Sequence, residues 1–116
     1  MMNVELSPEA FNDLEVLKEY LAVNFDIKLA RAVLKAIMAD LKRLGEYPDS
    51  GSRDLFKRFD IETEYAYLVT HNNYAFYRVE GDAVKIIRIL DTRRDVIYTL
   101  FGIKVVDDYS QYWNEE

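Results

Sequence analysis

The sequence predicts an α+β fold: a helical hairpin packed on one face of a small antiparallel sheet, closed by a short C-terminal helix. Three observations predict it. Two consecutive segments in the first half carry apolar residues at helical spacing. Three consecutive segments in the second half alternate and are joined by two short turn signals. Residues 91–102 hold the start and stop signals of one more helix. Helices grouped before strands point to segregated layers, not to alternating βαβ units.

The elements follow in order. Asn3-Val4-Glu5-Leu6 is short and alternating and reads as a first strand. Ser7-Pro8-Glu9 opens a helix, with Ser7 as N-cap, proline at the first position and an acid in the first turn. Ala10, Leu14, Leu17, Leu21 and Phe25 form its apolar stripe. Asp26 caps a second helix, whose stripe is Ala30, Val33, Leu34, Ile37, Leu41 and Leu44. Gly45 stops that helix and Pro48 follows. Residues 49–52 are turn-rich, and residues 53–63 have no clear period and read as irregular.

Strands are expected over residues 64–70, 74–80 and 83–90. His71-Asn72-Asn73 and Gly81-Asp82 turn between them. Asp91-Thr92 caps a helix running from Arg93 to about Phe101, with Thr92 and Asp95 at capping-box spacing and Gly102 as the stop. The tail from Lys104 to Glu116 is acidic and aromatic, and strand, helix and ordered arm all remain open for it. Tyr112 and Trp113 are expected to cover apolar surface. The 116 residues are read as one domain, with residues 103–116 as an arm.

Composition narrows the function. There is no cysteine, which excludes disulfides, thiolate metal sites and cysteine nucleophiles. The N-terminus lacks the basic start and apolar run of a signal peptide. No stretch approaches the roughly 18 apolar residues of a membrane span. A cytoplasmic protein with no membrane partner is expected. Net charge is −6, against a general nucleic-acid binder. The charge is uneven: −3 over residues 1–52, +1 over 53–94 and −4 over 95–116.

Strand parity divides the sheet. Ala66, Leu68, Thr70, Ala75, Tyr77, Val79, Val84, Ile86, Arg88 and Leu90 are expected to face the hairpin. The other parity holds Tyr65, Tyr67, Val69, Tyr74, Phe76, Arg78, Lys85, Ile87, Ile89 and Asp91, and is expected to be a free contact face. Two-residue turns would set Tyr67, Arg78 and Lys85 side by side, where two cations and a phenol suit a phosphate. The plain alternative is that both cations are solvated, their stems lying over aromatic rings.

Arg88 on the core face demands a carboxylate, and Asp13 on the first helix is the expected partner. Arg93 and Arg94 open the last helix against its dipole, which points to a phosphate or to acidic residues of a partner. Tyr98 lies one turn after Arg94 and is a candidate to position or protonate a phosphate oxygen. Packing of Tyr98, with the arginines paired to Asp95 or to water, is the alternative. His71 reads as a polar turn residue. No metal constellation, phosphate loop or Ser/His/Asp pattern is present.

The order strand, hairpin, meander and terminal R-I-L-x-x-R-R-D resembles the RelE/ParE superfamily of bacterial type II toxin–antitoxin toxins. Residues Ser7–Leu14, Tyr65–Val69, Tyr74–Val79 and Arg88–Asp95, with Leu100-Phe101, carry the resemblance, which covers roughly residues 3–102. It implies a tight complex with a small cognate antitoxin encoded beside the toxin. It also implies that free toxin arrests growth, by cutting mRNA in the ribosomal A site in one branch and by poisoning DNA gyrase in another. In the cutting branch the ribose 2′-OH attacks the adjacent phosphate, while basic residues and a histidine or tyrosine near the chain end stabilise charge and move protons.

Arg78, Arg88, Arg93, Arg94 and Tyr98 match that pattern. Tyr65 and Tyr67 stand where such toxins often have Lys or Arg, Tyr74 where an Arg is common, and Asp91 where His or Tyr is common. The expectation is a toxin that inhibits translation by ribosome-dependent mRNA cleavage. Arg78, Arg93, Arg94 and Tyr98 are the catalytic candidates. Tyr67, Lys85, Arg88 and Asp91 are candidates to bind phosphate or antitoxin. No metal and no cofactor are expected. The alternatives are a non-catalytic toxin that binds gyrase, and an attenuated member that only binds antitoxin.

Overall fold

The computed structural model describes residues 1–104, so the expected roles of Tyr112 and Trp113 lie outside the described residues. The elements are β1 (Asn3–Leu6), α1 (Pro8–Asn24), α2 (Ile27–Arg43), α3 (Asp54–Arg58), β2 (Ala66–Thr70), β3 (Asn73–Glu80), β4 (Ala83–Asp91) and α4 (Val96–Phe101). The α+β fold is as expected: a helical hairpin on a small sheet, with a short C-terminal helix.

Helix starts follow local chemistry. The Ser7 hydroxyl accepts from the Ala10 N–H, and the Asp26 carboxylate accepts from the Leu29 N–H, each satisfying an orphan first-turn donor. Phe25 leaves the helical phase as the C-cap of α1 and is exposed, so it does not join the expected stripe.

The strand order is β1-β4-β3-β2. The three-strand meander is antiparallel as expected, but β1 runs parallel to β4, and the sheet is mixed. Tight turns force antiparallel neighbours, whereas β1 reaches the sheet through the long hairpin crossover and no turn sets its direction. Between β2 and β3, His71 and Asn72 both have positive φ, the geometry of a two-residue hairpin turn.

The expected free face does not exist as such. On one side, Ala10, Leu14, Ile37, Leu41 and Leu44 of the hairpin pack on Ala66, Ala75, Tyr77, Val84, Ile86 and Ile89. On the other, Phe56, Val96 and Ile97 bury Tyr67, Phe76 and Leu90. The segment read as irregular supplies that cover. Residues 54–58 form a short helix that drives Phe56 among the rings of Tyr67, Phe76 and Phe101, at centroid distances of 5.8, 6.0 and 5.8 Å.

Parity also breaks inside β4. Phe76 pairs with Arg88 but Tyr77 pairs with Ile86, leaving Ile87 as an extra residue in a β-bulge. Beyond the bulge, Ile89 takes the hairpin side and Leu90 the far side, the reverse of the expected assignment.

Candidate functional site

Arg78 and Lys85 are register partners on adjacent strands, as expected. Tyr67 is not beside them. It pairs with Phe76, is buried, and its hydroxyl accepts from the Leu55 N–H at 3.1 Å. It is a core residue of the second cluster, since α3 closes over it.

The two cations are neutralised in place. Arg78 donates to Glu64 at 3.3 Å and to Glu80 at 3.0 Å, and Lys85 donates to Glu5. The Glu5 hydrogen bond holds the Lys85 ammonium above its ordinary pKa. The Arg78 Nε is buried and has no partner among the described residues.

Arg88 meets Asp13 as expected, through two parallel hydrogen bonds of 2.8 and 3.0 Å. The same carboxylate accepts the Ile89 N–H at 2.9 Å. This contact closes the free edge of β4: β1 pairs only as far as Ile86, after which Ser7 donates to the Ile87 carbonyl and Asp13 takes the next amide. The Asp13 bond raises the Arg88 pKa further.

The corner after β4 differs from expectation. α4 begins at Val96, not at Arg93, and its N-cap is Asp95, which accepts from the Tyr98 N–H at 3.1 Å. The Thr92–Asp95 capping box does not form. Asp91 instead accepts the Arg93 N–H at 2.8 Å and two guanidinium bonds at 2.9 Å each. A carboxylate bonding its own backbone two residues on makes a turn, which competes with the helix. Arg93 and Arg94 therefore precede the helix, and Tyr98 is not one helical turn from Arg94. The Arg93 bonds hold the Asp91 pKa down to about 2. Arg94 and Tyr98 are exposed, and Arg94 makes no ion pair among the described residues.

The structure thus sets Arg78 beside Lys85 and Arg93 onto Asp91, separates Tyr67 from both, and ties Arg88 to the hairpin. Four candidate cations stand against five carboxylates: Glu5, Asp13, Glu64, Glu80 and Asp91. Such a surface is a poor cradle for phosphate.

A second surface lies along the β1 edge of the sheet, where sequence reasoning placed no site. An apolar cleft of about 430 Å³ runs between β1 and α2, lined by Met2, Val4, Leu6, Met38 and Leu41. It borders the outer edge of β1, which has no strand partner among the described residues. The signal in the sequence was Met38, an apolar residue off the core stripe of α2 and exposed in the structure.

Among the described residues no group of three His, Cys, Asp or Glu is placed to hold a metal, and no helix is long and apolar enough to cross a membrane. Residues 4–96 match the family model described as the ParE toxin of the type II toxin–antitoxin system parDE. Among solved structures, a chain of the "Chromosomal ParDE TA system from P. aeruginosa" is similar in fold, with a TM-score of 0.66 and 21% identity. The alignment covers 78% of this chain and 96% of that one. No curated protein matches.

Proposed function

Because the chain belongs to the ParE toxin family of type II toxin–antitoxin systems, we propose that it acts by binding DNA gyrase and not by cutting mRNA. One observation carries this choice over the expected cleavage: Arg78, Lys85, Arg88 and Arg93 are each already bound to a carboxylate. A ribonuclease of this kind needs unsatisfied positive charge at the transferring phosphate. Asp91, at the position where a proton carrier is common, has its pKa held at about 2. It is too weak a base to take a proton from a ribose hydroxyl. A binding toxin needs neither feature. Its contact surface is the exposed corner with Arg94 and Tyr98.

The cognate antitoxin has a different seat. An apolar segment in extended form would fill the cleft beside β1 and extend the sheet by one strand, using the free edge for main-chain hydrogen bonds.

The test is a pair of assays on the purified chain. Loss of gyrase supercoiling, with DNA breaks accumulating and translated message intact, is the expected result. New mRNA 5′ ends that appear only in translated message, with supercoiling unaffected, would overturn the proposal. Arg78→Ala sharpens the comparison, since a nuclease would lose cutting while keeping its antitoxin.

A further inference from the structure

α1 carries a second apolar stripe outside the core. Ala10, Leu14 and Leu17 pack beneath the helix. Val16, Tyr20 and Val23 repeat at i, i+4 and i+7 and are 58%, 53% and 76% exposed. Scattered exposed apolar residues are ordinary, but three in line on one helix mark a contact.

The bonds of α1 to β4 show which way this stripe faces. The helix runs alongside the strand in the same direction. Ser7 donates to the Ile87 carbonyl, Asp13 accepts from Arg88 and from the Ile89 N–H, and Tyr20 is near enough to Arg93 to act on its guanidinium. Val16, Tyr20 and Val23 follow Asp13 at i+3, i+7 and i+10, so they continue its line toward the corner of residues 92–95. Past Ile86 this edge of β4 has no strand partner among the described residues. The stripe and the corner therefore form one surface.

Charge states what fits there. The acids of this flank already face cations: Asp13 holds Arg88, Glu9 acts on the same guanidinium, and Asp91 holds Arg93. Arg94 is exposed and makes no ion pair among the described residues. The surface is thus an apolar stripe that ends at one unclaimed guanidinium. It suits a protein segment that buries apolar side chains along α1 and sets a carboxylate on Arg94. Nucleic acid would bring phosphates past Glu9 and Asp13 and leave the stripe bare.

We infer that gyrase docks on this flank of α1 as well as on the corner, with apolar side chains along Val16, Tyr20 and Val23 and a carboxylate on Arg94. The inference rests on the gyrase reading and extends its contact surface onto the hairpin. The cleft beside β1 shares none of these residues, so antitoxin and gyrase have separate seats.

Inhibition of gyrase supercoiling by the purified full chain tests this. Val16→Asp with Val23→Asp, Tyr20→Ala, and Arg94→Glu each raise the concentration for half-inhibition by about tenfold or more, the scale of an interface anchor. Their far-UV circular dichroism and Tm match the parent, because these side chains are on the surface. Val69→Asp inhibits like the parent, since Val69 is as exposed as Val16 but stands on the edge strand β2. A parent without effect on gyrase removes the gyrase reading and the inference with it. A parent that inhibits, with flank variants that inhibit equally, leaves that reading standing and overturns the inference alone. Equal loss in Val69→Asp also overturns it. So does a gain of inhibition in Tyr112→Ser with Trp113→Ser, which would make the chain's own tail the occupant. A parent dimer that the paired Val→Asp change turns into a monomer would give the stripe to a second copy, and overturns it too.

Discussion

Asp13 accepts three hydrogen bonds at once, two from Arg88 and one from the Ile89 amide. Removing it strands a half-buried guanidinium and an edge amide together. Asp13→Ala is therefore expected to cost about 2–3 kcal/mol in urea denaturation, toward the lower end for a broken buried pair because Arg88 keeps some contact with water. The partner was anticipated from sequence, but parity was not the reason it is right: the bulge pairs Arg88 with Phe76, and Asp13 reaches Arg88 at the edge of β4 that β1 leaves open. The Asp91–Arg93 clasp was not anticipated, because an acid at a strand end serves a helix cap and a local turn equally well. Its carboxylate titrates at about 2 when folded against 3.8 ordinarily. With the folded value depressed, the clasp contributes stability above the ordinary value and loses it as pH falls toward 2. NMR titration of the Arg93→Ala variant is expected to return the Asp91 midpoint toward 3.8. The buried Tyr77 hydroxyl donates to the Pro48 carbonyl and accepts from the Gly51 N–H. A Cβ on Gly51 would stand 2.2 Å from that hydroxyl oxygen. Gly51→Ala should thus destabilise more than Tyr77→Phe, which loses only the hydrogen bonds, about 1–2 kcal/mol.

Elements were read well where a period was long and poorly where a few residues decided. The hairpin helices and the meander follow directly from apolar spacing and turn residues. α3 is five residues long, too short to show a period, yet with α4 it covers Tyr67, Phe76 and Leu90 by inserting Phe56. Phe56→Ala is expected to cost about 3–4 kcal/mol in chemical denaturation, because no neighbouring side chain can refill a site bounded by three rings. The bulge at Ile87 was invisible for a related reason: alternation is an average, and a single inserted residue inverts everything after it. The β2–β3 turn holds two L-residues at positive φ. Asn72→Gly is expected to stabilise the chain by several tenths of a kcal/mol, read as a rise in Tm, since glycine adopts that geometry without strain.

At the scale of the whole molecule, charge is sorted by layer. The sheet and its corner pair most of their cations internally, while the hairpin leaves acid and base exposed on separate helices. Net charge alone hid this, and so did the sums over residues 1–52, 53–94 and 95–116, because helix α2 is basic within an acidic segment. The sheet also joins the first strand to the last: Asn3 pairs with Ala83 and Leu6 with Ile86. Closing so long a loop is entropically late, whereas β3 and β4 need only a two-residue turn. Pulse-labelled hydrogen exchange during refolding should find the β3–β4 amides protected before those between β1 and β4. During synthesis the same geometry imposes an order of events. The hairpin leaves the ribosome tens of residues ahead of the strands that cover its apolar side. It must wait, bare, until Asp91 has been added and β4 can pair with both β1 and β3, so a chain cut short before that residue is a hairpin with no completed sheet beneath it.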